Sequence, residues 1–207
     1  MEPVRLRLEE LPEDEVARRA ADVLRQGGIA LLPAEGVYGF HAWCLSSPAL
    51  ERIQAMKGRG DRVGFIGLIE RPEDAARWAR IPPEADALIR KHWPGALTIV
   101  LDALPAAPPA LYSETGTIAL RCPGSSLLRG IVRWSGGPLL STSANASGQP
   151  AAVRVEDAPP GMADLEVDGG VLSGAPSTLV RVSGGVIHVI RQGAVTLGSA
   201  GADSSGG

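Results

Sequence analysis

Apolar and polar residues alternate over residues 4–8, which predicts a short strand. From Pro12 to Gln26 the period changes. Val16, Ala20, Val23 and Leu24 recur at helical spacing, and Gly27-Gly28 closes the helix. Residues 29–33 form an unbroken apolar run of strand length, the pattern of a strand covered on both faces. Ser47 and Pro48 read as the N-cap and first residue of a helix that reaches Lys57 and is closed by Gly58. A strand is predicted at 65–69, helices at about 72–79 and 83–92, and a strand at 97–101 after Trp93-Pro94-Gly95. The Pro- and Ala-rich stretch 102–116 reads as a mobile loop. A strand at 118–122, a helix at about 126–134 capped by Ser125, and a strand at 139–143 follow. Two further strands, 177–182 and 185–190, meet at Gly184-Gly185 as a hairpin. This alternation predicts an α/β fold: a twisted, mixed parallel and antiparallel sheet with helices on both faces, formed by one domain over 1–197. Residues 198–207, GSAGADSSGG, offer nothing to pack and read as a disordered tail.

Composition narrows the function classes. The chain has 207 residues, 21% charged and 44% hydrophobic, which suits a globular domain and excludes a coiled coil or a wholly disordered chain. Its net charge of −3 supplies no global positive field, so any contact with RNA has to come from a local patch. The only cysteines, Cys44 and Cys122, form neither a metal-type spacing nor a disulfide framework. With no signal-like N-terminus and no long apolar span, the expected home is the cytoplasm, away from membranes.

Three segments carry candidate chemistry. In Pro33-Ala34-Glu35-Gly36-Val37-Tyr38-Gly39 an apolar strand runs into a glycine turn, and ligands of open α/β sheets gather at such strand ends. Lys57 and Arg59 leave the helix two residues apart, followed by Arg62; an ammonium beside a guanidinium fork suits a polyphosphate. In Ser141-Thr142-Ser143-Ala144-Asn145-Ala146-Ser147-Gly148 small polar residues follow an apolar strand, with Ser143 and Asn145 facing one side, an arrangement able to hydrogen-bond phosphate or carboxylate oxygens. Structural alternatives stay open for each: a plain turn, a solvated helix end, and a helix N-cap. His41, His92 and His188 form no zinc-type spacing, no metal site is expected, and no nucleophile elbow or P-loop is present.

Read in order, these segments together with Leu97-Thr98, Ala119-Leu120-Arg121-Cys122-Pro123, Ser177-Thr178 and Arg191-Gln192-Gly193 resemble the YrdC-like family of L-threonylcarbamoyladenylate synthases, in its short, single-domain form. The resemblance implies a concave cleft that takes ATP, magnesium, bicarbonate and threonine. It also implies formation of threonylcarbamoyl-AMP and pyrophosphate for N6-threonylcarbamoyladenosine in tRNA, with tRNA or other tRNA-modification proteins as partners. By that resemblance Lys57, Arg59, Ser143 and Asn145 are the catalytic set, and Pro33, Glu35, Tyr38, Arg62, Thr98, Arg121, Ser141, Ser177 and Arg191 bind substrate. The chain departs from the family pattern where Ala34 and Gly36 replace two threonines and Gly60 replaces a proline. Two other readings follow from the departures and the fold: a related enzyme making a carbamoyl adenylate with another acceptor, and a non-catalytic RNA-binding module.

Overall fold

A computed structural model describes residues 2–57, 65–146 and 148–197. Arg59, Arg62 and the tail 198–207 lie outside the described residues. The strands are β1 (Val4–Arg7), β2 (Ile29–Pro33), β3 (Tyr38–Trp43), β4 (Ile66–Leu68), β5 (Leu97–Asp102), β6 (Thr117–Arg121), β7 (Leu139–Ser143), β8 (Leu165–Asp168), β9 (Thr178–Ser183) and β10 (Val186–Arg191). The α-helices are α1 (Glu13–Arg25), α2 (Ser47–Lys57), α3 (Ala75–Trp78), α4 (Pro83–His92) and α5 (Ser126–Ser135). The strands form one mixed sheet in the order β1-β8-β2-β3-β7-β4-β6-β5-β9-β10.

The buried strand β2 shows how the layers divide. Ile29 and Leu31 pack into one apolar cluster with Ala49 and Ile53 of α2 and Leu88 and Ile89 of α4. Ala30 and Leu32 pack into another with Val16 and Leu24 of α1 and Leu128 and Ile131 of α5. Successive side chains of a strand point to opposite faces, so helices cover both sides of the sheet. At the ends of α5, the Ser125 side chain accepts a hydrogen bond from Leu128 N, and Gly136 takes the left-handed conformation that ends many helices.

Several elements differ from the sequence reading. Strands β3 and β8 were not predicted. The helix expected over 72–79 divides into a 3-10 turn, Pro72–Asp74, and the four-residue α3. The stretch 102–116, expected to be mobile, is tied down instead. Ala107 and Leu111 are buried, and the Tyr112 hydroxyl donates to Leu104 O. Ser113 Oγ lies 2.7 Å from Thr117 Oγ1. Apolar anchors and a hydroxyl cluster thus replace the regular ladder that its prolines cannot form.

Candidate active site

Strand register brings the polar segments to one face. His41 lies opposite Ser141, Ser141 opposite Ile66, Ile66 opposite Ala119, Ala119 opposite Val100, and Val100 opposite Arg181. Arg121 shares the face of Ala119, Thr98 that of Val100, and Arg191 is opposite Leu179, itself opposite Thr98. Helices α1 and α5 cover this face over β8, β2 and the near ends of β7 and β4, through Leu165, Leu32, Leu139 and Leu68. Beyond them the face opens into a cavity of about 500 Å³ whose walls include Ile66, Val100, Ala119, Leu179, Arg181 and Arg191.

Lys57, at the last residue of α2, reaches the end of β7. Its Nζ donates to Ser143 O at 2.9 Å, Asn145 O at 3.1 Å and Asn145 Oδ1 at 2.9 Å. Ser143 Oγ donates to the same Asn145 Oδ1 at 2.6 Å, and Asn145 Nδ2 donates to Gln149 O. An ammonium has donors and no acceptor, so Lys57 fixes which end of the Asn145 amide is oxygen. This knot holds the loop after β7 against α2.

A second group joins β5, β10 and Ser177, the residue before β9. Thr98 Oγ1 and Ser177 Oγ are 2.9 Å apart, and Arg191 donates from Nη2 to Ser177 O at 2.9 Å. In a third group, Arg121 donates from Nε to Gly95 O at 3.1 Å and ion-pairs with Glu35, which also accepts from Gly124 N. Burial lowers the Arg121 pKa to about 10, with repulsion from Arg191 adding to the effect. Arg191 is lowered too, by burial. These two guanidiniums are therefore close enough to oppose each other, and among the described residues Glu35 is the only carboxylate paired with either. That leaves a local excess of positive charge in a protein of negative net charge.

The turn between β2 and β3 connects these groups. Tyr38 O accepts from Ala144 N at 2.9 Å, Glu35 reaches Arg121, and Gly36 O accepts from Gly174 N at 2.7 Å. Tyr38 is fully buried, and its hydroxyl bonds Gly170 O and Gly169 N, so it anchors the segment beyond β8. Pro33 is a buried β2 residue lying against Gly169. A Cβ at Gly36 would stand 1.8 Å from Ala175 O, so backbone occupies the space of the missing threonine side chain.

Of the residues singled out from sequence, Lys57, Ser143 and Asn145 form one hydrogen-bonded knot, Thr98, Ser177 and Arg191 a second, and Glu35 and Arg121 a third. Ser141 faces the same side and bonds His41 Nε2 at 3.1 Å. The sequence reading weighed His41 only as a histidine without metal spacing and did not single out Arg181, because their relevance comes from cross-strand register rather than any local spacing. No group of three His, Cys, Asp or Glu side chains able to hold a metal occurs among the described residues.

Comparisons with known proteins place the family and the fold. A family model described as Telomere recombination, covering Sua5, YciO and YrdC proteins, matches residues 22–193. The chain is 32% identical over 189 residues to the threonylcarbamoyl-AMP synthase of Bacillus subtilis, covering 86% of this chain and 53% of that protein. It is 33% identical over 165 residues to the enzyme of that name from Stenotrophomonas maltophilia, covering 78% and 88%. The crystal structure of Pyrococcus abyssi Sua5 complexed with L-threonine superposes with a TM-score of 0.83 at 30% identity, over 93% of this chain and 58% of that one. Escherichia coli YciO, 22% identical with a TM-score of 0.83, shares the fold. The chain spans about half the length of the Bacillus subtilis and Pyrococcus abyssi relatives. From the match over 22–193 and these identities, the chain belongs to the Sua5/YciO/YrdC family.

Proposed function

We propose that the chain, with 1–197 as its catalytic unit, is an L-threonylcarbamoyl-AMP synthase, a nucleotidyltransferase. It converts threonine, bicarbonate and ATP into threonylcarbamoyl-AMP, pyrophosphate and water. The observation that carries this reading is the buried Arg121, paired with the single carboxylate Glu35 and opposed in charge by the more exposed Arg191, which lines the open cavity. Such a site gains most from an anion that neutralises it. Attack of a threonine carbamate on the α-phosphate needs no protein nucleophile. Positioning and stabilisation of charge on the phosphate oxygens are enough.

In this reading Lys57, Arg59, Ser143 and Asn145 are the catalytic set around nucleotide and carbamate. Pro33, Glu35, Tyr38, Arg62, Thr98, Arg121, Ser141, Ser177 and Arg191 shape the substrate cleft, with Tyr38 and Pro33 acting through the backbone they brace. Magnesium would come with the nucleotide, since such ions use few carboxylates beside substrate phosphates. The described residues do not form a cage for it: Glu35 is spent on Arg121, and no step is assigned to the ion. The adenylate would serve tRNA modification in the cytoplasm. Among the described residues no helix is long and apolar enough to cross a membrane.

The Gly36 contact favours one competing reading, an enzyme with another carbamoyl acceptor, because it removes a hydroxyl from the turn. The deciding experiment is mass spectrometry of products formed from ATP and bicarbonate with a panel of amino acids. A threonylcarbamoyl adduct with stoichiometric pyrophosphate is expected. Pyrophosphate release with some other acceptor and none with threonine would overturn the assignment in favour of the competing one.

A further inference from the structure

His41 is completely buried on β3, yet both ring nitrogens are engaged. Nδ1 lies 2.9 Å from Gly39 O, and Nε2 lies 3.1 Å from Ser141 Oγ. A carbonyl oxygen can only accept; two backbone carbonyls, those of Gly39 and Ala30, favour a proton on this ring, and the 2.9 Å contact with Gly39 O puts the proton of the neutral imidazole on Nδ1. Burial keeps the ring neutral by pushing its pKa down to about 4. Nε2 then carries a lone pair, and the Ser141 hydroxyl must donate to it. What remains on Ser141 Oγ is acceptor capacity only. Ser143, two residues further along the same face, has likewise given its proton to Asn145 Oδ1.

We propose that His41 is a positioning residue that holds the Ser141 proton inward, so that Ser141 meets the cleft as an acceptor and selects a ligand group that donates an N–H. The assignment deepens the proposed function and rests on it for the ligands. Phosphate oxygens, which need donors, fall to the cations, whereas the β7 serines read nitrogen. The N–H has two sources in the proposed substrates, the exocyclic amine of adenine and the amine of the amino acid.

Two measurements on the full chain test this. The first is the side-chain nitrogen spectrum of ligand-free protein. It should show His41 protonated on Nδ1 from mildly acidic to neutral pH, and Ser141→Ala should move the Nε2 resonance to that of a bare lone pair with the tautomer retained. A proton on Nε2, or an Nε2 resonance indifferent to Ser141→Ala, overturns the inference. The second is calorimetry with two ligand pairs, ATP against inosine triphosphate and L-threonine against its 2-hydroxy-acid counterpart, each pair differing at the nitrogen. One preference should shrink about five- to tenfold in Ser141→Ala, the size of one neutral hydrogen bond. His41→Phe should shrink the same preference, the double variant should lose no more, and His41→Gln, whose amide oxygen can accept the serine proton, should recover part of it. Whichever pair responds identifies the source. Both preferences surviving in folded Ser141→Ala protein overturns the inference. A wild type that binds neither pair overturns its ligand half together with the proposed function, while the nitrogen spectrum decides the direction of the serine proton separately.

Discussion

His41 also sets a pH dependence of stability. Its pKa is lowered to about 4 in the fold by burial, against backbone hydrogen bonds that raise it, and an unfolded chain has it near the ordinary 6.5. Between those values the unfolded chain holds the extra proton, so stability is complete above the upper value and falls as the pH drops towards the lower one. The total loss is about 3 kcal/mol at most. Urea unfolding of wild type and His41→Phe at neutral and acidic pH checks this: the variant should lose less stability on acidification. Equal losses would mean the ring is protonated in the folded state. At the end of β7, Asn145 accepts from Lys57 and Ser143 and donates to Gln149, whereas the Ser143 hydroxyl makes one bond among the described residues. Asn145→Ala should therefore cost about 1–3 kcal/mol and Ser143→Ala about 0.5–1.5 kcal/mol. Both should lower adenylate formation. The loop is thus a structural tie as well as a candidate ligand cradle. Equal unfolding midpoints for the two variants would show that the amide does not tie the loop.

At the scale of elements, legibility followed burial. Strands β2, β5 and β7 include apolar runs covered by helices, so composition alone marks them. Strand β3 escaped because Gly39 and His41 interrupt it; its register with β2 and β7 requires a pairing no local pattern encodes. Strand β8 is four residues between glycine- and proline-rich segments, held by parallel neighbours distant in sequence. The candidate site was legible as three motifs, but not their joining through the turn at Ala34–Val37. That joining redirects the meaning of Gly36. Its missing side chain reads in sequence as a lost hydroxyl, and in the fold as room for Ala175 O. Replacing it, Gly36→Thr, should displace the strap 173–176 and destabilise the protein by about 1–3 kcal/mol, the range for overpacking. Restoring the family threonine here should thus fail to improve threonine use. A variant melting with the wild type and binding threonine more tightly would show that the strap yields freely.

For the molecule as a whole, the net charge is −3 while Arg121 and Arg191 lie close enough for one cation to oppose the other, so field and fold oppose each other locally. Charges of one sign held together in a partly buried cleft weaken the ligand-free fold and favour the anion-bound one. Stability should therefore rise with pyrophosphate or ATP, by about 2.7 kcal/mol at a hundredfold excess over Kd. The variant that separates this from ordinary packing is Arg191→Gln. Arg191 has hydrogen bonds to Ser177 but no carboxylate partner among the described residues, and its charge works against Arg121. Removing the charge while keeping an amide donor should leave the ligand-free melting temperature level or higher, because the repulsion on Arg121 ends. The rise on adding pyrophosphate should shrink severalfold. High salt should mimic part of the variant's effect in the wild type, since screening relieves repulsion and weakens anion capture together. A variant that melts well below the wild type yet keeps its full response to pyrophosphate would show that Arg191 is a structural strut and that the anion sits elsewhere.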